Sequence, residues 1–273
     1  MYITHTARKL GDRYRYSIIL LKELVKTDFK LRYQGSILGY LWSLLKPLMI
    51  FLIMYVVFLK FLRFNYGVPH STVYLFVGIV IWSFFSEATS NALSSIVGKG
   101  DLLRKINFPK YVITFATSLN ALINLLLNFV VIGIFMLADH VAVGPRLLLV
   151  IPLILELFVF SLSLGFILGA VFVRLRDVAQ IWEVVMQGLF YAVPIFYPLQ
   201  LVPEKYSKFL MLNPIAQIIQ DIRHVLVSSK SATLASIWHT SWIRLVPITI
   251  TVLLAVFAAQ YFRKRSKHFA EEI

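Results

Sequence analysis

The side chains best placed to do chemistry in this sequence lie inside long apolar stretches. Asn120, Asn124 and Asn128 recur every fourth residue, so they share one face of an α-helix. Glu87 and Glu183 each share a helix face with a nearby amide side chain. Polar groups are costly in lipid, so these faces are expected to point into a helical bundle. For the asparagines we favour interhelical hydrogen bonds over lining of a polar path, whereas for the two glutamates both interpretations stay open.

Groupings typical of an active site are absent from the sequence. The 13 carboxylates are scattered, the six histidines never fall three to five residues apart, and cysteine does not occur. Metal ligands on one helix need such spacing, so no metal site is expected. The segment 98–100, Gly-Lys-Gly, lacks the spacing of a phosphate-binding loop. We therefore expect neither an enzyme nor a bound cofactor, and any ATP hydrolysis is expected on a partner.

Aromatic residues near the ends of the apolar stretches have two possible roles. Tyrosine and tryptophan are enriched where a membrane meets water, so an interfacial belt is the favoured interpretation. Stacking against sugar rings along a conduit is the alternative. The residues with this potential role in a conduit or gate are Tyr40, Trp42, Phe84, Phe85, Tyr191 and Phe196.

The elements that position these residues are expected to be membrane-spanning helices. The chain of 273 residues is 59% hydrophobic and 15% charged, unlike a soluble domain. Crossing the bilayer takes about 20 mostly apolar helical residues. The sequence therefore predicts an all-α integral membrane protein with six spans, near 36–62, 72–97, 111–138, 147–173, 178–196 and 243–262.

Basic residues indicate how these spans are oriented. The two termini and alternate loops hold 18 Lys and Arg residues, against six in the other loops. Loops rich in Lys and Arg stay in the cytoplasm. Both termini are therefore expected on the cytoplasmic side, which requires an even number of spans.

Residues 1–35 are predicted to form an amphipathic helix at the cytoplasmic membrane surface. Leu21, Leu24 and Val25 lie on its apolar face, while Lys22 and Lys26 belong to a basic stripe. The remaining 36–273 are predicted to form a single transmembrane domain. The surface helix serves either as an anchor or in the access of a substrate.

Two loops depart from simple connections. The cytoplasmic loop at about 99–109 predicts a short helix that begins with Asp101 as its N-cap and stops at Pro109. Its apolar and basic side chains suit a peripheral partner, although a plain positively charged loop is the alternative. On the outside, the Pro-rich run that leads into Asn213-Pro214 predicts a re-entrant helical hairpin at about 190–227.

Several motifs, in order along the chain, carry a resemblance to a known family. The segment Leu31 to Leu48, which reads LRYQGSILGYLWSLLKPL, resembles the opening signature of the permease subunits of bacterial ABC exporters of surface polysaccharides. This family includes O-antigen and wall teichoic acid exporters. Further similar segments are GKGDLLRKINFP at 98–109, VRLRDV at 173–178, AVPIFY at 192–197 and LNP at 212–214. Lys46, before Pro47, departs from the usual residue.

The resemblance implies a multi-pass protein of the bacterial cytoplasmic membrane that works as a homodimer. It implies two copies of an ABC ATPase subunit, which bind ATP and magnesium, and an undecaprenyl-pyrophosphate-linked polysaccharide or teichoic acid as substrate, with no role for nucleic acid. The ATPase would contact Asp101, Leu102, Leu103, Arg104, Lys105 and Ile106. Basic residues that would receive the lipid pyrophosphate are Lys30, Arg32, Arg174 and Arg176.

Two alternatives remain at this point. An ABC exporter of drugs or small lipids could share the same permease architecture. A membrane-embedded glycosyltransferase or phosphotransferase is disfavoured, because such an enzyme needs convergent reactive groups and the carboxylates are scattered.

Overall fold

The computed structural model describes residues 2–32, 34–64, 67–106, 108–142 and 144–272, with the side chains at 2–14 and 270 left out. Every regular element in these ranges is helical. The α-helices are α1 (Tyr2–Arg32), α2 (Trp42–Met54), α3 (Ser71–Gly98), α4 (Gly100–Lys105), α5 (Tyr111–Ala138), α6 (Val150–Arg174), α7 (Val178–Ala192), α8 (Glu204–Leu210), α9 (Pro214–Leu226), α10 (Leu234–Trp238), α11 (Leu245–Arg265) and α12 (Phe269–Glu272).

Five helical segments of the described chain are long and apolar enough to cross a membrane. Short 3₁₀ or π-helical turns extend α2, α6 and α11, so the segments run over Gly39–Phe61, Ser71–Gly98, Tyr111–Ala138, Pro145–Arg174 and Ser241–Arg265. These agree with five of the six predicted spans.

The segment predicted as the fifth span, 178–196, does not form one long helix. Its helix α7 has 15 residues, which corresponds to a length of about 22 Å. It ends at Ala192, two residues before Pro194, and Val193 is already extended. Proline disfavours helical backbone in the residue before it, which explains the early end.

Helix α3 lies at the centre of the bundle, with α5 and α6 packed along it and α11 packed on α6. The contact between α3 and α6 is close because two glycines face Ala92. A Cβ atom on Gly165 would lie 2.6 Å from the Ala92 Cβ atom, and one on Gly169 would lie 3.0 Å from the Ala92 carbonyl oxygen. This confirms the packing role that is typical of small residues four apart in a span.

Two ion pairs join α1 to α3. Lys99, just after α3, donates to Asp28 at 2.5 Å. Arg32, one turn further along α1, pairs with Glu87, which lies about 16 Å along α3 from its last residue, Gly98. The basic stripe of α1 is exposed as predicted, and Leu24 is buried. The end of α1 therefore reaches into the bundle and does more than lie at its surface.

The segment after α7 folds back onto the bundle. Helix α9 packs against α3, α6 and α11, near the ends of these helices that are opposite α4. Asn213 caps α9 by accepting a hydrogen bond from the Ile215 amide at 3.0 Å, and Pro214 is the first helical residue. The predicted start of this helix is confirmed.

The short helix predicted at about 99–109 differs from its expected bounds. Helix α4 covers Gly100–Lys105, with Lys99 at the N-cap position instead of Asp101. It ends because Ile106 is extended, before Pro109 is reached. The break between α3 and α4 is a single residue, so no separate capping turn forms there.

Candidate functional site

A cavity of about 840 Å³ opens between α2, α3 and α5, and we call it the central cavity. Arg32 of α1 and Phe190 of α7 complete its wall. The volume falls within the range of ligand-binding pockets. Its other lining residues are Trp42, Ser43, Lys46, Pro47, Ile50, Ile79, Val80, Trp82, Ser83, Phe84, Ser86, Glu87, Ser90, Asn91, Asn124, Leu125 and Asn128.

Glu87 anchors a polar network in the wall of this cavity. Its Oε1 atom accepts a hydrogen bond from Asn124 Nδ2 at 2.7 Å, and Arg32 pairs with the same oxygen. Three elements, α1, α3 and α5, are joined through this one carboxylate. Such pairing is how an ionised group is tolerated at membrane depth.

Asn128 satisfies a backbone group that a proline leaves free. Pro47 lies inside α2 and has no N–H, so the Ser43 carbonyl four residues earlier loses its helical partner. Asn128 Nδ2 donates to this carbonyl at 3.2 Å and to the Asn124 carbonyl at 2.8 Å. The favoured interpretation of these amides as interhelical hydrogen-bond donors is confirmed for Asn124 and Asn128.

The same two asparagines belong to the cavity lining, and each keeps one acceptor oxygen without a partner. Asn124 and Asn128 are each 4% exposed, and both line the cavity. Their Oδ1 atoms are buried and have no hydrogen-bond partner in the described part of the protein. Buried polar groups are normally paired, so these oxygens are suited to accept from hydroxyl groups of a ligand. Interhelical bonding and lining of the central cavity therefore coexist on one face of α5.

Aromatic rings form part of the apolar wall of the cavity. Trp42, Trp82 and Phe84 line the cavity alongside the serine hydroxyls and the asparagine amides. Flat rings next to hydrogen-bonding groups suit molecules that have both apolar faces and many hydroxyls, as sugars do. Two cations, Arg32 and Lys46, also lie in the wall, so the cavity accommodates an anionic group as well.

The other residues predicted for a conduit or gate lie outside this wall. Tyr40 stacks on Phe29 of α1 with ring centroids 4.7 Å apart, and Phe85 is fully buried in the core beside Trp82. Tyr191 and Phe196 belong to an aromatic cluster around Phe190, with Phe58 and Tyr197. Glu183 is exposed on α7. Trp42, Phe84 and Glu87 are thus the members of that set in the cavity.

A buried arginine, which the sequence analysis did not single out, fixes the position of residues 193–226. We call these residues, which follow α7, the outer segment, after their predicted side of the membrane. Arg223 of α9 is completely buried and donates to the carbonyls of Tyr74, Pro194 and Ile195 at 2.9, 2.6 and 2.5 Å. Its guanidinium carbon lies 3.8 Å from the centroid of the Tyr74 ring. Gly78 makes room for it, about 10 Å along α3 from Ser71. We call this arrangement the Arg223 clip.

The predicted ATPase-coupling residues divide into two sets. Asp101, Arg104, Lys105 and Ile106 are exposed and Leu102 is half-buried, whereas Leu103 is only 7% exposed. Leu103 packs into an apolar cluster at the ends of the helices next to α4. The other buried members of this cluster are Leu24, Ile96, Phe108, Val112, Ile113, Ala116, Ala170, Val173, Phe262 and Phe269. Leu103 therefore anchors α4 to the bundle and presents no surface to a partner.

The C-terminal residues pack next to this anchor. Helix α12 contacts α4, and Lys110 Nζ donates to the Ser266 carbonyl at 2.6 Å. Burial lowers the pKa of Lys110, and Glu271 partly offsets that change. Phe269 is fully buried beneath the Lys110 side chain. The surface around α4 is thus built from three parts of the chain.

The basic residues predicted to receive a lipid pyrophosphate are exposed but lie on different elements. Lys30 and Arg32 are in the last turn of α1, and Arg32 also forms the pair with Glu87. Arg174 and Arg176 are at the end of α6, where Arg176 lies 5.2 Å from the ring centre of Phe172. Of the four, Arg32 lines the central cavity. Among the described residues, no three His, Asp or Glu side chains are grouped to hold a metal ion.

Comparison with known proteins gives a consistent result over most of the chain. Residues 19–227 match the family model described as ABC-2 type transporter. The O-antigen export system permease protein RfbA of Myxococcus xanthus is 28% identical over 274 residues, covering 97% of this chain and 99% of that protein. RfbA of Klebsiella pneumoniae is 28% identical over 257 residues, covering 94% and 95%.

A more distant relative is the polysialic acid transport protein KpsM of Escherichia coli. It is 21% identical over 241 residues, covering 86% of this chain and 92% of that protein. The family match covers well over half of the sequence, and it includes the residues that line the central cavity. The chain therefore belongs to the ABC-2 type transporter family, as a membrane permease.

Proposed function

We propose that this chain is the transmembrane subunit of an ATP-driven exporter that moves a polymer linked to undecaprenyl pyrophosphate across the bacterial cytoplasmic membrane. The observation that carries the proposal is the central cavity, where aromatic rings, free amide oxygens and two cations lie together between spans. Sugar units suit the rings and amides, and a pyrophosphate suits the cations.

The relatives bear on the class of polymer. Those described above are named for O-antigen export or polysialic acid transport. This favours a polysaccharide over a teichoic acid as the exported polymer. The neutral amides and hydroxyls in the cavity wall suit either one.

The proposed topology has six spans with both termini in the cytoplasm. Helix α7 is short, but together with the residues up to Tyr197 it forms an apolar segment that crosses most of the bilayer. Helices α8 and α9 then form the re-entrant part, where the Arg223 clip satisfies backbone carbonyls that would otherwise be unpaired near membrane depth. The excess of Lys and Arg in the cytoplasmic loops supports this orientation.

The working unit is proposed to be a homodimer. Glu183 and Gln187 are exposed on α7, a helix that otherwise presents apolar side chains such as Ile181 and Val184. A carboxylate and an amide facing lipid would be costly, so a second copy or a shared conduit is expected to cover this face.

Energy is proposed to come from the ABC ATPase that membership of this family implies, with two copies that hold ATP and magnesium. The exposed residues Asp101, Arg104, Lys105 and Ile106 would contact it, while buried Leu103 transmits motion of α4 into the bundle. The permease itself has no role in hydrolysis, and only the complex acts as a translocase.

Substrate is proposed to reach the cavity from the cytoplasmic leaflet along α1. Lys30 and Arg32 would meet the pyrophosphate first, and the pair between Arg32 and Glu87 lies at the cavity wall. Arg32 would release the Glu87 carboxylate and pair with a phosphate of the substrate instead, which would open the way from α1 into the central cavity. Arg174 and Arg176 on the end of α6 offer further positive charge to the same leaflet.

Two other functions remain as alternatives. An exporter of drugs or small lipids would use the same architecture, but its cavity would not need sugar-binding groups. A membrane-embedded transferase would need no ATPase subunit. Such an enzyme needs convergent reactive groups, but the partners of Glu87 are Arg32 and Asn124 and not a second carboxylate.

Reconstitution in proteoliposomes tests the proposal. The chain and its ATPase partner should move a fluorescent undecaprenyl-pyrophosphate oligosaccharide between leaflets only with ATP and magnesium. Movement of a small lipid without a glycan at the same rate would favour the drug or lipid exporter. Chemical turnover of the glycan-lipid by the chain alone would favour the transferase.

A further inference from the structure

A second cavity, of about 760 Å³, lies between α6, α9 and α11, and we call it the outer cavity. The residues of interest in its lining are Arg146, Glu156, Gln217, Asp221, Arg244 and Thr251. Its position in the outer half of the membrane rests on the orientation given under Proposed function.

Several side chains in the deep part of the outer cavity have a polar atom that lacks a hydrogen-bond partner in the described part of the chain. Glu156 Oε1, Asp221 Oδ1, Gln217 Oε1 and Thr251 Oγ1 are buried and have no hydrogen-bond partner in the described part of the chain. Gln217 and Thr251 are each 3% exposed. The Gln217 amide donates to Asp221 Oδ2 at 2.7 Å, which leaves its own oxygen free. The free oxygens of Glu156, Asp221 and Gln217 are acceptors, so a ligand that brings N–H or O–H donors suits this region.

The shallow part of the outer cavity is positively charged. Arg146 precedes α6 and Arg244 precedes α11, and both are exposed at the rim. Glu156 lies about 9 Å along α6 from its first residue, and Thr251 lies the same distance along α11 from its first residue. Guanidinium groups are well suited to phosphate. The fitting ligand therefore carries an anionic group toward the rim and a cationic donor toward the interior.

The outer cavity opens toward the acyl chains of the membrane. Leu155 and Val252 line it and are 61% and 54% exposed, so no other part of the described chain covers them. A ligand arriving from this side has an apolar tail. Carboxylates at such a site mark a functional role by default, because they are costly where lipid is the solvent.

We propose that the outer cavity binds the headgroup of an aminophospholipid of the phosphatidylethanolamine type. Its phosphate lies between Arg146 and Arg244, and its ammonium donates to Glu156 and Asp221. An anionic lipid without an amine brings no donor to Glu156 Oε1 and Asp221 Oδ1, and a free cation leaves the two arginines unused. The bound lipid bridges α9 to α6 and α11, and so holds the outer segment in one position.

Native mass spectrometry of the complex of this chain with its ATPase tests the proposal. Phosphatidylethanolamine and phosphatidylcholine of identical acyl chains differ only at the amine, where three methyl groups replace the N–H donors. We expect about tenfold greater retention of phosphatidylethanolamine, because one charge-assisted hydrogen bond alone gives that ratio. The double substitution Glu156→Gln and Asp221→Asn should reduce this preference to near unity, while Glu204→Gln, an exposed outer carboxylate, should leave it unchanged.

Two results would overturn the proposal. One is equal retention of the two lipids by the wild-type complex, and the other is an unchanged preference in the double variant. If the double variant does not fold, Arg244→Gln at the exposed rim provides a second test, since it should weaken retention of both lipids. Binding is measured without transport, so a failure here is distinct from a failure of the export proposal.

Discussion

The substitution Gly78→Ala tests whether the Arg223 clip holds the outer segment. An added Cβ atom would lie 2.1 Å from Arg223 Nη2 and 2.7 Å from the Ile195 carbonyl oxygen, closer than real Cβ atoms approach. The guanidinium is fixed by three hydrogen bonds and has no free space to move into. Gly133→Ala is a matched control in α5, because no atom lies within 4 Å of its Cβ position.

The magnitude follows from two opposing effects. Alanine in a helix interior is favoured over glycine by about 1 kcal/mol. Overpacking costs about 1–3 kcal/mol, and loss of a hydrogen bond to a charged group costs about 1.5–3 kcal/mol more. Gly78→Ala should therefore destabilise the packing of α9 by about 3 kcal/mol, whereas Gly133→Ala should be neutral or slightly stabilising.

Hydrogen–deuterium exchange in detergent micelles measures this difference locally. A loss of about 3 kcal/mol corresponds to amide exchange in α9 that is roughly a hundredfold faster or more. The exchange of α4, which lies at the opposite end of α3, should not change. If α9 exchanged at the same rate in Gly78→Ala and Gly133→Ala, the clip would not be what holds this helix.

Three further predictions concern the cavity wall and the cytoplasmic surface. Asn128→Ala should destabilise the purified chain by about 1–2 kcal/mol, measured by thermal unfolding, because the Ser43 carbonyl loses its donor. Leu103→Asp should destabilise it by about 3 kcal/mol in the same assay, because a charge enters a buried apolar site. Reversal of charge at Arg104 and Lys105 should leave thermal unfolding unchanged but remove transport-coupled ATPase activity, measured in proteoliposomes.

These predictions have controls within the chain. Leu175→Asp, at an exposed position just outside the span Pro145–Arg174, controls for charge introduced away from the packed core. Ser94→Ala, at an exposed position on α3, controls for loss of a hydrogen bond outside the cavity wall. If the charge reversal at α4 left coupled ATPase activity intact, the assignment of α4 as the contact with the ATPase would be wrong.

Periodicity was enough to place the polar faces of the spans. The four-residue spacing of the asparagines predicted one shared face, and that face contacts both α2 and α3. The partner of Asn128 was also within reach, because Pro47 leaves the carbonyl of Ser43 free by its chemistry alone. Sequence reasoning therefore reaches the cavity wall where a proline leaves a backbone carbonyl that needs a donor.

Contacts between segments that are distant in the sequence could not be predicted in this way. Arg223 binds carbonyls of Tyr74, Pro194 and Ile195, and carbonyls are present at every residue, so nothing in their side chains marks them as acceptors. In α4, six residues are too few for periodicity to show which side faces the bundle, so the burial of Leu103 could not be predicted. Both the partners of Arg223 and the buried side of α4 are set by the tertiary packing of distant segments.

Photo-crosslinking of the substrate tests the central claim most directly. A photoreactive amino acid replaces Ser83 in the central cavity or Val130 on α5, which is 64% exposed outside it. In proteoliposomes with the ATPase partner, an undecaprenyl-pyrophosphate oligosaccharide should crosslink at position 83 in a manner that depends on ATP, and not at position 130. Equal crosslinking at both positions, or none at position 83 during active transport, would contradict a path through this cavity.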